Sequence, residues 1–296
     1  MKKSILTDSN ETPTRTTSSR DSSYEASLVL THQGKIMIPP TITKGDIITY
    51  YKNIASLMIP YMRNHPLMIH RFPNGITGTS FYQKNAPPSA PPWIQKVDVP
   101  TKEAHTTYII CQNRATLIYL ANLNCITPHL WLSRFTNLHA PDRLIIDLDP
   151  SDNSFNKVRT VALLFKELFD TLKLTSFVMT TGSRGLHVIV PLGRTADFTE
   201  VKAFALRCSS HIKDYRPDLV TLEVRTDKRG TQVFIDTARN NFAATAVAPY
   251  AVRAYTKGPV ATPLYWYELE EDAIQSSQFC TMQTIFKRIE GQEDPW

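Results

Sequence analysis

Two acidic residues spaced two apart, joined by a third far along the chain, are the side chains of this sequence best suited to chemistry. Segment 143–150 reads RLIIDLDP, an apolar run that ends in Asp147 and Asp149 and is halted by Pro150. Side chains at i and i+2 of a strand share a face, so the two carboxylates would stand side by side. Like charges that close repel, and a divalent cation is the usual remedy. Hard oxygen donors favour Mg²⁺ or Mn²⁺, and two such ions roughly 3.5–4 Å apart clamp the attacking and leaving oxygens of phosphoryl transfer. Asp236 ends a second apolar run, QVFIDTA, and is a candidate third ligand. A DxD at a strand end is also a common turn with two solvated acids, and Asp236 alone would serve as a strand-end cap.

The neighbouring motifs bear on phosphate and on nucleic acid. TTGSRGLH (180–187) places two glycines around Ser183 and Arg184 in a tight turn. Such a turn can aim backbone N–H groups at an anion, with a hydroxyl, a guanidinium and the His187 imidazole beside it. It is not a Walker A loop, and an ordinary hairpin with His187 packed in the sheet fits the same residues. Arg253 in APYAVR could reach the same phosphates or lie on the surface. In HRFPNGITGTSFYQK (70–84), Arg71 and Lys84 flank a PNG turn and the adjacent Phe81 and Tyr82. Aromatic rings among basic residues suit stacking on bases beside backbone phosphates, although one core Phe and one rim Tyr is the commoner outcome. Lys35 is a phosphate contact or a surface lysine.

The elements that must position these residues follow from periodicity. Helices are expected at 44–62, 112–123, around 199–213 and near 271–290, the last with Ile274, Met282, Ile285, Phe286 and Ile289 inward. Another, capped by Ser151, Asp152 or Asn153, would bury Val158, Val161, Ala162, Phe165, Leu168, Phe169 and Leu172. Strands are expected at Leu28–Leu30, 106–111, 143–149, 176–181, 186–191 and 232–237, with a Pro-rich loop over 83–92. Strands mixed with helices predict an α+β, or mixed α/β, fold on a mixed sheet.

Composition narrows the class. The 296 residues are 42% hydrophobic and 20% charged, ordinary for a globular chain. No apolar run would cross a bilayer, and no secretory signal opens the chain, so a cytoplasmic place is expected. Four scattered cysteines without a CxxC pair argue against structural zinc. Residues 24–267 hold 27 Lys+Arg against 17 Asp+Glu, a net of +10, and a basic body suits a polyanionic partner or simply a solvated surface. The Ser/Thr-rich residues 1–23 are expected to be disordered, leaving 24–296 as one domain.

In order along the chain, Gly34-Lys35, RFPNG (71–75), SFYQKNAPPSAPPW (80–93), IIDLDP (145–150), TTGSRGLHVIVPL (180–192), VFIDTARNN (233–241), VAPYAVRA (247–254) and VATPLYWYEL (260–269) resemble the polymerase domain of bacterial ligase D. That domain belongs to the archaeo-eukaryotic primase superfamily, and the similarity covers about residues 28 to 290. The resemblance implies a primase-polymerase in which Asp147, Asp149 and Asp236 hold two Mn²⁺ or Mg²⁺ ions. Thr181, Ser183, Arg184, His187, Arg229 and Arg253 would bind the nucleoside triphosphate, with Thr181 near the sugar. Lys35, Arg71, Phe81, Tyr82 and Lys84 would meet DNA, including a downstream 5′-phosphate.

Several positions depart from the family pattern. Arg184 stands where Lys is usual, His70 where Lys or Arg is common, Arg239 where Gln is frequent and Ala244 where Lys is frequent. Ile126 replaces a His, unless His129 serves instead. The resemblance implies gap filling at DNA breaks during end joining in a bacterial, nucleoid-associated setting, with Ku and a ligase as partners. De novo priming, or a non-catalytic module that binds 5′-phosphorylated ends and recruits a ligase, are the alternatives.

Overall fold

A computed structural model describes residues 19–100 and 105–296. Of the tail expected to be disordered, residues 1–18 lie outside this range, whereas Ser19–Ala26 forms a helix. Tyr24 stacks on Trp93 with ring centroids 4.8 Å apart, and Glu25 pairs with Arg114. Those distant partners hold the helix, and composition cannot reveal them. Leu28–Leu30 is not a strand. The side chain of Asn122 takes the place of a neighbouring strand there, donating to the Val29 carbonyl and accepting from the Thr31 N–H.

The catalytically suggestive strand Arg143–Pro150 lies inside a six-stranded sheet. The order across it is Val220–Thr221, Val233–Asp236, Arg143–Pro150, Leu186–Pro191, Phe177–Thr180 and Pro263–Leu264. The first pair is parallel and the rest antiparallel, so the sheet is mixed as expected. The strand ends at Pro150 as expected, and Pro150 is its last paired residue, opposite Val233. A second sheet runs Thr245–Val247, Cys125–Trp131, Leu67–Arg71 and Phe81–Gln83.

Period-two alternation explains how the central strand serves two layers. Leu144, Ile146 and Leu148 pack with the helices Phe155–Thr171 and Phe198–Tyr215, among Val158, Phe165, Val201 and Ala205. Ile145 faces the other way and joins Met179 and Ile189 in a core shared with Ile126 and Leu130 of the second sheet. Asp147 and Asp149 continue that second face. Helix Lys44–Met62, closed at its start by a Thr43–Asp46 capping box, backs this core with the Arg114–Asn122 helix.

Three expectations about helices are corrected. The cap of Phe155–Thr171 is Ser154, without a side-chain hydrogen bond; Asp152 instead accepts from the Ser154 N–H and pairs with Lys157. Leu172 falls one residue past that helix and is exposed. No helix spans 271–290: the chain makes two short ones, Tyr267–Glu270 and Ile285–Ile289, joined by irregular backbone. The side chains and backbone of that segment are committed elsewhere. Ser277 donates to the Gly185 carbonyl, Gln278 to the Ser183 carbonyl, and the Cys280 carbonyl accepts from the Val260 N–H.

Asp142, just before the central strand, ties the two sheets together. Its N–H donates to the Leu132 carbonyl, and its buried carboxylate lies 2.9 Å from His65 Nε2, Arg134 Nε and Arg143 Nε. Burial pushes this carboxyl up, but Arg143 and His65 outweigh it and hold the group well below the usual carboxylate range.

Two predictions follow from this packing. A Cβ on Gly185 would stand 1.9 Å from the Leu148 carbonyl oxygen, so only glycine lets the hairpin cross the central strand. Gly185→Ala is expected to cost about 2–4 kcal/mol, read from urea midpoints. Asp142→Asn should cost about 3 kcal/mol at neutral pH by leaving the largely buried Arg143 guanidinium and the buried His65 ring without their carboxylate. Because the folded carboxyl lies below its unfolded value of about 3.9, its contribution is present above that pH and is lost as pH falls further. The gap between variant and parent should therefore narrow in urea melts at about pH 3.

Candidate active site

The three acids meet because of register. Asp147 lies directly opposite Asp236 on one neighbouring strand and opposite His187 on the other. Directly opposed residues have Cβ atoms about 4.5–5.5 Å apart and share a face. Asp149, two residues on, points to that same face. The turn that follows the Asp236 strand is fixed by Asn240, whose buried side chain accepts from the Ile145 N–H and donates to the Ile145 carbonyl.

The charges in this cluster are partly balanced by the protein itself. Arg239 Nε donates to Asp147 Oδ2 at 2.9 Å and stands 3.8 Å from Asp236 Oδ2; His187 Nε2 is 3.4 Å from Asp147 Oδ1. Burial would raise the Asp147 carboxyl, but His187 and Arg239 hold it well below the usual range. Asp149 behaves oppositely: burial and the adjacent Asp147 charge push it up to about 6. Asp236 Oδ1 accepts from the Ala238 N–H at 2.7 Å. Among the described residues, no three His, Cys, Asp or Glu side chains are grouped so as to hold an ion in this arrangement. Both oxygens of Asp147 are turned to Arg239 and His187.

The Gly182–Gly185 turn sits at the rim of the acids. Gly182 has φ of +65°, and a Cβ there would meet Arg253 Cγ at 2.8 Å. Arg253 Nη1 donates to the Thr181 carbonyl at 2.9 Å, so the two segments are locked together. Thr181 is buried; its hydroxyl contacts Ser183 Oγ and the Gly185 N–H and carbonyl, and so shapes the turn. Arg184 reaches Asn153 Oδ1 at 3.4 Å and lines an open polar cavity of 440 Å³ with Ser183, Asn156 and Gln278. Nothing in the residue pattern signals that Ser277 and Gln278 brace this turn, because their segment reads as helix.

Across the cleft stands the face of the second sheet that carries His70, Tyr82 and His129. Tyr82 stacks on His70 at 4.0 Å and meets the His129 ring edge-on at 5.7 Å. Burial first, then Arg253, His70, Arg239 and His187, hold His129 well below the usual histidine range, so its ring is neutral. Ile126 is core, with no exposed side chain. The expectation of one buried ring in the Phe81-Tyr82 pair is not met: both are exposed, at 44% and 54%, because their strand forms the sheet edge. Arg71 lies under Phe81 and donates to the Leu123 carbonyl and Gln83 Oε1. Lys84 follows on the surface, and Lys35 donates to the Pro73 carbonyl and Asn74 Oδ1 by the PNG turn.

Arg229 is not brought to the cluster as a free cation. Its guanidinium donates to the Glu223 and Val224 carbonyls and lies 3.7 Å over the Phe234 ring, so it fastens the loop before the Asp236 strand. Arg239, in contrast, touches two of the three acids. Sequence marked it only as an unusual residue; its three-residue spacing from Asp236 across a tight turn was the available signal.

Comparison with known proteins agrees with this geometry. Residues 43–296 match the family described as LigD, primase-polymerase domain. The multifunctional non-homologous end joining DNA repair protein LigD of Mycobacterium tuberculosis is 30% identical over 277 residues, covering 90% of this chain and 36% of that protein. The bifunctional non-homologous end joining protein LigD of Bacillus subtilis is 28% identical over 256 residues, covering 86% of this chain and 41% of that protein. This chain thus spans well under half the length of these curated relatives. The solved polymerase domain from Mycobacterium tuberculosis ligase D in complex with DNA superposes with a TM-score of 0.85 at 30% identity, covering 90% of this chain and 96% of that one. With a family match over most of its length and a shared α+β fold, the chain belongs to the LigD primase-polymerase domain family, whose members are nucleotidyltransferase-type polymerases.

Proposed function

We propose that this chain adds nucleotides to the 3′ end of a DNA primer, guided by a template strand, at gaps or broken ends during non-homologous end joining. The observation that carries this is the register pairing of Asp147 with Asp236, with Asp149 on the same face beside the Gly182–Gly185 turn. The names of the LigD relatives, non-homologous end joining proteins, support the end-joining role, and the DNA-bound polymerase domain this fold matches supports a DNA partner. Ku and a separate or attached ligase are the partners this role would need, in the bacterial cytoplasm. No helix among the described residues is long and apolar enough to cross a membrane.

The donor chemistry fits a pair of Mn²⁺ or Mg²⁺ ions. The acids are three hard carboxylates on one sheet face, and the charge that now balances Asp147 is a side chain able to turn away. Asp147, Asp149 and Asp236 would hold the ions, which when bound lower the pKa of a 3′-hydroxyl and stabilise leaving pyrophosphate. The rest falls to the protein. Arg184, Ser183 and Arg253, with the turn backbone, would cradle the triphosphate, and His187 sits between that cradle and the acids. Thr181 positions the turn rather than the sugar. Phe81 and Tyr82 offer two exposed rings for stacking on bases, with Lys35, Arg71 and Lys84 around them. Arg229 would act on the nucleotide only through the loop it holds.

Two measurements test this. Primer extension on a gapped duplex with Mn²⁺ should fall by about three orders of magnitude or more in Asp147→Ala, with folding unchanged by circular dichroism. A well-folded parent protein that extends no primer would end the proposal. Tyr82→Ala should weaken binding of gapped DNA by about 1–3 kcal/mol at fixed salt, measured by fluorescence anisotropy.

A further inference from the structure

The cluster of acids contains a cation of its own. Arg239 lies in the short turn Ala238–Asn240, and its guanidinium bridges Asp147 and Asp236 from two different strands. Bridging carboxylates from separate strands is the electrostatic task of a divalent ion. We propose that Arg239 is a built-in competitor for the divalent cation, neutralising Asp147 and Asp236 in the empty site and leaving them when a cation binds. This rests on the reading of the three acids as cation ligands.

Three observations separate this from an ordinary structural ion pair. The first is mobility. The Asp147 side chain is 5% exposed and fixed within the sheet, whereas Arg239 is 42% exposed and stands on the solvent side of the pair. The arginine can therefore turn out into water without disturbing the core, and the aspartate cannot. The second is that the turn does not depend on Arg239. Its neighbour Asn240 is fully buried and makes two hydrogen bonds to Ile145 and one to the Thr237 carbonyl. The turn stays anchored when the guanidinium lets go.

The third is charge balance. Arg239 reaches two of the three acids, and Asp149 has no ion pair among the described residues. Arg239 is the guanidinium paired with these carboxylates, while Arg184 and His187 act on Asp149 from farther off, so negative charge is least balanced at Asp149 and draws in a dication. With its arginine partly exposed, the ion pair is weaker than one buried on both sides, and a cation can displace it. It is still strong enough to spare the buried Asp147 from standing uncompensated in a site without cation. Arg239 thus sets the cation concentration at which the site fills.

The test uses Mn²⁺ alone, with neither DNA nor nucleotide. Free Mn²⁺ is followed by electron paramagnetic resonance as protein is titrated, and thermal melts are run with and without the ion. Arg239→Gln, which keeps polarity and removes charge, should lower the Mn²⁺ Kd about fivefold. Its metal-free Tm should fall below that of the parent protein, and Mn²⁺ should raise its Tm by the larger increment. Arg239→Lys, which keeps the charge, should stay within about twofold of the parent, and serves as the check if the Gln variant does not fold. An equal or weaker Mn²⁺ affinity in Arg239→Gln, or a gain of about fivefold in Arg239→Lys, overturns the proposal while leaving the cation reading intact. Absence of Mn²⁺ binding to parent and variants alike overturns both.

Discussion

Everything at the cleft depends on negative charge held together against its own repulsion. Asp147 is flanked on its two sides by Asp236 and His187 through strand pairing alone, and Asp149 follows two residues later on the same face. Such an arrangement is unfavourable unless positive charge comes to it. The fold supplies a share through Arg239 and His187, and the opposite signs of the Asp147 and Asp149 shifts show where that share stops. What is left over is the negative charge that the proposed cations would meet.

The scaffold keeps this cluster from relaxing. The central strand cannot shift register without turning its acids into the layer of Leu144, Ile146 and Leu148, which pack against two helices. Asn240 clips it from one side, and Gly185 allows the hairpin to close over it from the other. Asp142 fixes its beginning to the second sheet. Rigidity on three sides leaves Arg239 and the exposed rings of Phe81 and Tyr82 as the groups free to respond to a ligand.

The proposed phosphate side shows a division of labour that its motif does not reveal. Within TTGSRGLH, Thr181 closes the turn, Ser183 and Arg184 face an open polar cavity, and His187 belongs to the acids. Arg253 is packed against the turn backbone, so it stiffens the cradle as well as charging it. Arg229, grouped with these by motif, is spent on two carbonyls and a ring.

Short-range physics made much of this protein legible in advance. Period-two alternation ending in acids located both carboxylate strands, apolar spacing located the helices Lys44–Met62 and Phe155–Thr171, and two glycines marked the turn. Features set by partners far along the chain were not legible. The stretch 271–290 has helical spacing but spends its backbone and side chains on Gly185, Ser183 and Val260. The segment at Leu28–Leu30 pairs with one asparagine side chain instead of a strand. Most consequential, the sequence by itself determined which acids could meet, since strand periodicity is local. Only the tertiary structure decided that Asp147 and Asp236 stand in direct register with Arg239 between them, because register and charge pairing are settled by the whole sheet at once.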